Sequence, residues 1–225
     1  MTEQGTLPTI AILGGTGKEG PGLAMRWASV GYKILIGSRQ VERAQATATE
    51  LNTRLGLLTV TGMENNAAAR MADICVLTVV QAAHQAALES LREALQGKIL
   101  VDATARVDFR DPKPPAPPAA ARLAQDLLGP GVRVVAAFQN VPSQVLKRNP
   151  GQSLDIDVLV CSDNLQAAQA VMQLAQAGGM RAYYAGNLEN AIVVEGITSL
   201  LICINSYYHL HTASIAITGF PVGSG

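Results

Sequence analysis

Directly after the apolar run Thr9–Gly14 (TIAILG), the chain reads Gly15-Thr16-Gly17-Lys18-Glu19-Gly20 and then enters a stretch rich in helix formers. The spacing G-x-G-x-x-G between a strand and a helix gives each glycine its own task. The first permits a tight turn, the second lets a pyrophosphate approach the backbone, and the third lets helix and strand pack closely. Free N–H groups at the helix start then face the anion. Glu19 has the wrong charge for a phosphate ligand, so contact there is expected through its backbone.

The end of the second strand identifies the nucleotide. A second apolar run, Tyr32–Ser38, ends in Gly37-Ser38-Arg39, where a site for NAD places an acid on the ribose hydroxyl. A 2′-phosphate instead needs cationic donors. Arg39 supplies a bidentate guanidinium, Ser38 a hydroxyl, and Arg43 a second cation one helical turn on. The ligand expected from these residues is NADP(H).

The rest of the chain alternates in the same manner. Strands are predicted at 9–14, 32–38, 57–62, 73–80, 98–104, 132–140, 155–163 and 180–186, and helices at 40–56, 84–95, from 119 onward, and 165–177. Asn164 is placed to cap the last of these, and Gly178-Gly179 to end it. The pattern predicts an α/β fold: a Rossmann-like, doubly wound, mostly parallel sheet covered on both faces. Five prolines within 112–118 make an extended surface connector. After Gly186 a long apolar stretch has no strand partner, so the chain divides into an NADP-binding domain, 1–185, and a small C-terminal helical domain, 186–225.

Composition narrows the partners. With 48% hydrophobic residues, 225 residues bury one sizeable core. Seventeen basic and seventeen acidic residues balance, which argues against a nucleic-acid surface. No segment holds about 18 uninterrupted apolar residues, so no membrane span is expected. The opening MTEQGTLPT has no leader pattern. Cys75, Cys161 and Cys203 lie far apart among apolar neighbours and read as buried free thiols of a cytoplasmic protein.

Other polar residues carry less. His84, at the start of the helix after the fourth strand, reads as a capping or surface residue within reach of a nicotinamide pocket. His209 and His211 fall on different faces of a helix and make a poor metal pair. Glu189 and Glu195 stand too isolated for catalysis, and Tyr183-Tyr184 reads as partial core. Hydride transfer between two heteroaromatic rings asks for orientation rather than side-chain chemistry, so no acid–base catalyst is assigned.

The pieces LGGTGKEGPGLAMRWA, IGSR, TGMENNAAARMADICVLTV, AAFQNVPSQ, VLVCSD and AGNLENAIVVEGITSLL together resemble the NADP reductases that use coenzyme F420, an 8-hydroxy-5-deazaflavin. They keep the family's order over nearly the whole chain. The resemblance implies a small-molecule redox partner, coenzyme F420, and a homodimer. On the family pattern, Gly15, Thr16, Gly17, Lys18 and Glu19 surround the pyrophosphate, and Ser38, Arg39 and Arg43 hold the 2′-phosphate. Val80, Gln81, Val141, Pro142 and Ser143 flank the nicotinamide. The family pattern has a proline where this chain has Val80-Gln81, and it lacks this proline run. Two other readings are a reductase of a flavin or quinone-like acceptor and a non-catalytic NADP-binding sensor.

Overall fold

The computed structural model describes residues 6–219. Most of the opening MTEQGTLPT lies outside them, as does the end of the chain.

Six strands form one parallel sheet: β1 (Ile10–Leu13), β2 (Ile34–Ser38), β3 (Val60–Glu64), β4 (Ile74–Leu77), β5 (Ile99–Asp102) and β6 (Arg133–Ala136). Their spatial order is β3-β2-β1-β4-β5-β6. The order reverses between β1 and β4, so a crevice opens at the carboxyl ends of those two strands. Residues of β1 alternate between two cores. Ile10 and Ile12 face helices α1 (Gly20–Ser29) and α2 (Val41–Leu55), while Ala11 and Leu13 face α3 (Asn65–Met71), α4 (Gln81–Leu91) and α5 (Ala120–Leu128). Burial on both faces is why these strands are almost wholly apolar.

The seventh and eighth predicted strands do not join this sheet. β7 (Asp157–Val160) and β8 (Arg181–Tyr184) pair parallel as a separate two-stranded sheet, linked by α7 (Leu165–Ala177). They touch the main sheet through one antiparallel bridge, Ala136 to Cys161. Asn164 caps α7 as expected, its Oδ1 accepting from Ala167 N at 2.8 Å.

A buried arginine fixes that second layer. Arg26 on α1 is 1% exposed. Its Nε donates to Leu146 O (3.1 Å), Nη1 to Gln152 O (2.8 Å) and Gly178 O (3.0 Å), and Nη2 to Arg148 O (2.6 Å). Trp27 Nε1 adds a bond to Leu174 O of α7 at 2.8 Å.

The apolar C-terminal stretch is a single-turn helix (188–190) followed by α8 (Ala191–Tyr207), which packs on α5. By length and composition, Leu188–Tyr207 is also apolar enough to cross a membrane. Its inner face is nevertheless polar in part, with Glu195 and Ser199 buried. Beyond α8 the chain folds back to β7, where Ile215 O accepts from Asp157 N and Ile217 N donates to the Asp157 carboxylate. Cys75 and Cys161 are buried, but Cys203 is exposed: it lies one turn of α8 beyond Ser199, at the edge of the proline-rich connector, where its thiol donates to Pro112 O at 3.8 Å.

Replacing Arg26 by methionine keeps the side-chain volume and strands four carbonyls. We expect urea unfolding to show a loss of about 3 kcal/mol or more. A loss under about 1 kcal/mol would mean that water satisfies those carbonyls equally well.

Candidate active site

The glycine turn sits at the crevice. Gly15 N donates to Gly37 O at 2.9 Å, which ties the turn to the end of β2. A Cβ on Gly15 would lie 2.7 Å from Ile12 O, and one on Gly20 would lie 2.7 Å from Gly15 Cα. Both positions are therefore closed by the protein's own backbone. Gly17 differs: a Cβ there would meet nothing nearer than Gly14 O at 3.8 Å. The space beside Gly17 is open, and Gly17 and Lys18 are exposed while Thr16 is partly so. The N-cap residue Glu19 makes no side-chain capping bond to α1, and the first turn of the helix holds no acid. An open, uncapped helix start with room at its second glycine fits a pyrophosphate.

Glu19 precedes α1. Its Oε1 is buried and has no partner among the described residues. Burial pushes the carboxyl up to about 8, so near neutral pH it is protonated and adds no negative charge to the turn.

Ser38 is buried at the end of β2, and its Oγ accepts from Gln40 N at 3.1 Å, leaving the hydroxyl proton free to donate. Arg39 and Arg43 are exposed, and neither forms an ion pair among the described residues. Ser38 and Arg39 thus stand at the end of β2 beside the turn, and Arg43 lies in the first turn of α2.

Sequence reasoning missed Asn65, whose Oδ1 accepts from Gly14 N at 3.1 Å and braces the turn from α3. That helix itself is unexpected from the sequence, since its cap is Glu64 rather than a short polar residue. The Glu64 carboxylate accepts from Asn66 N (2.7 Å) and Ala67 N (3.3 Å).

The other half of the crevice lies over β4, β5 and β6. Val80, which precedes α4, is 72% exposed, and Gln81 is exposed beside it. Val141 is buried, while Pro142 and Ser143 are half-buried at the start of α6 (Ser143–Leu146). The path into them is strained. Phe138 has φ 75°, a left-handed conformation unusual for an aromatic residue, and full burial edge-on to Trp27 at 5.8 Å holds it there. The bend turns Gln139 and Asn140 inward. Gln139 Nε2 donates to Asp102 O (3.0 Å) and Asn140 Nδ2 to Asp157 O (2.8 Å), yet Gln139 Oε1 and Asn140 Oδ1 are buried without partners among the described residues.

His84 is neither cap nor surface. It lies on the stripe of α4 that also buries Leu88 and Leu91, and its Nε2 sits 2.6 Å from Asp102 Oδ2 at the end of β5. Glu195 on α8 is fully buried as well. Its carboxylate accepts from Ala120 N (2.6 Å) and Arg106 N (3.1 Å), pinning both ends of the proline-rich connector. Burial lifts this carboxyl above the usual range, and the two backbone bonds hold part of that rise back. Sequence signals for these residues exist: an acid closing an apolar strand, and a lone acid inside an apolar helix.

Among the described residues, no cluster of three His, Cys, Asp or Glu side chains is suited to a metal.

Known proteins resemble this chain in sequence and in fold. The profile of the family described as NADP oxidoreductase, coenzyme F420-dependent, matches residues 9–106. The F420-dependent NADP reductase of Methanothermobacter marburgensis is 40% identical over 224 residues, covering 94% of this chain and 99% of that protein. Its counterpart in Methanocaldococcus jannaschii is 38% identical over 95% of this chain and 99% of its own length. In fold, a solved Arthrobacter structure provisionally described as an F420-dependent NADP reductase superposes with TM-score 0.78, covering 95% of this chain and all of that one, at 24% identity. The chain belongs to the family of coenzyme F420-dependent NADP oxidoreductases.

Proposed function

We propose that the chain transfers hydride between NADP(H) and coenzyme F420. The observation that carries the NADP half is the Ser38 hydroxyl at the end of β2, followed by Arg39 and Arg43, two exposed guanidiniums without ion pairs among the described residues. The site residues take these roles in the proposal. Gly15, Thr16, Gly17, Lys18 and Glu19 surround the pyrophosphate; Ser38, Arg39 and Arg43 hold the 2′-phosphate. Val80, Gln81, Val141, Pro142 and Ser143 flank the two stacked rings. Residues 1–185 act as the nucleotide-binding domain, and 186–225 as a small helical roof over the second substrate. Orientation of two reactive carbons in a crevice that excludes water supplies most of the acceleration.

The outer face of α8 supports a homodimer. Val193, Leu200 and Ile204 are 61%, 58% and 41% exposed, and Tyr207 and Tyr208 extend the stripe. Sedimentation equilibrium is expected to give twice the chain mass, and Leu200→Lys to give the single chain. The free thiols of Cys75 and Cys161 suit a reducing cytoplasm.

The reaction is checked by mixing NADPH with oxidised F420 and monitoring loss of the deazaflavin visible band. Persistence of the band, or turnover with free flavin alone, would overturn the assignment. Arg39→Ala is expected to weaken NADPH by about 1.5–3 kcal/mol and to leave NADH nearly unchanged. Gly17→Ala should weaken both nucleotides in a normally folded protein, because the added methyl meets ligand rather than protein. Equal loss for both nucleotides in the arginine variant, or none in the alanine variant, would remove the corresponding role.

Glu19 adds a pH dependence. Below about 8 its carboxyl is neutral; above that, a carboxylate stands against the pyrophosphate. The NADPH dissociation constant should therefore rise roughly five-fold as pH passes upward through that value. In Glu19→Gln the rise should vanish, as read by NADPH fluorescence titration.

A further inference from the structure

A buried polar cluster spans the carboxyl ends of β4, β5 and β6, and the phosphate site makes no use of it. His84 Nε2 and Asp102 Oδ2 are 2.6 Å apart, with side chains 8% and 0% exposed. Thr104 N donates to Asp102 Oδ1 at 3.0 Å, so the carboxylate cannot turn away. Gln139 is anchored on the Asp102 carbonyl and keeps a buried Oε1 that has no partner among the described residues. The second imidazole nitrogen, Nδ1, has no partner among the described residues. A carboxylate-held imidazole with one free nitrogen is the arrangement by which proteins carry protons.

The overall change, NADPH + F420 + H⁺ → NADP⁺ + F420H₂, consumes one proton for each hydride. The hydride breaks its bond to C4 of the dihydronicotinamide and forms one at C5 of the deazaflavin. A proton must then form the N–H bond at N1 of that ring. A titratable side chain beside the stacked rings can bring it.

We infer that His84, positioned by Asp102, is the proton carrier of this reaction. It delivers the proton when NADPH reduces F420, accepts it in the reverse direction, and reloads from solvent. The inference rests on the function proposed above. The charged groups facing His84 are Asp102 from β5, Arg106 from the loop after β5 and Glu195 from α8. Burial pulls the imidazolium down, but the hydrogen bond and charge of Asp102, with Glu195 behind it, outweigh burial and the opposing Arg106, so the net shift is above 6.5. The upward shift extends the charged, donating form to higher pH than in a free imidazole, and that form is lost as pH rises.

The test uses the full chain and reads both directions of turnover against pH. For F420 reduction by wild type, kcat should fall along a one-proton limb as pH rises; for the reverse reaction it should fall as pH drops. His84→Gln should lower kcat about a hundred-fold and flatten both limbs, with NADPH affinity held within about two-fold. Taking the ratio of wild-type to variant rates cancels any titration of F420 itself. A readout independent of turnover comes from NMR: the chain has three histidines, and the His84 resonance is the one lost in the variant. Asp102→Asn should move that resonance's titration, and the limb, to lower pH. If His84→Gln does not fold, Asp102→Asn and the wild-type solvent deuterium effect decide, with kcat expected to fall about two-fold in D₂O. Limbs that persist in His84→Gln, an unmoved His84 titration in Asp102→Asn, or an absent solvent effect would each overturn the inference. Wild type that binds NADPH but never reduces F420 defeats the parent function, and this inference with it. Turnover with a pH profile indifferent to His84 defeats this inference alone.

Discussion

Gly15 and Gly20 touch with no room for a side chain between them, and that contact settles where α1 begins. With the first turn of α1 pressed onto the end of β1, its free N–H groups open onto the point where strand order reverses. The same placement sends Arg26 and Trp27 outward to the loop after α6 and to α7. Nucleotide site and second layer are thus positioned by one close approach of backbone to backbone, which any larger residue at either position would spread apart.

The crevice has two halves of different character. On the β1–β2 side, exposed cations stand free at the end of a buried strand, which suits a charged ligand that brings its own solvation. On the β4–β6 side the polar groups are buried, and Gln139 and Asn140 each donate to a carbonyl while their amide oxygens have no partner among the described residues. Buried amide oxygens without a donor are costly. Gln139 lies under α8, where Thr198 Oγ1 donates to its carbonyl and Glu195 holds the proline-rich connector at both ends.

Much of this is legible in the sequence, and the rest is hidden for identifiable reasons. The six core strands, the glycine turn and the cationic residues after β2 come from local pattern, because apolar period, turn chemistry and charge are all local. The separate pairing of β7 with β8 is not local: the seventh strand reads like any other, and only the Arg26 and Trp27 anchors place it in another layer. α3 escapes because Glu64 performs a capping task normally given to a shorter side chain. His84 and Glu195 read as surface or isolated residues since each partner, Asp102 in one case and two backbone amides in the other, is distant in sequence. Cys203 is expected inside because its neighbours are apolar, yet apolar neighbours on a helix do not say how far a covering loop extends, and the proline-rich connector reaches the thiol without enclosing it.

The arginine that anchors the second layer bonds only to main-chain carbonyls: those of Leu146, Arg148, Gln152 and Gly178. Every amino acid carries that carbonyl. Over evolutionary time, side chains along 146–152 are therefore free to drift without altering the path of the loop, as long as the donor at position 26 remains. Constraint on the loop's shape is stored elsewhere, in a single residue of a helix, and the loop's own composition leaves little trace of it.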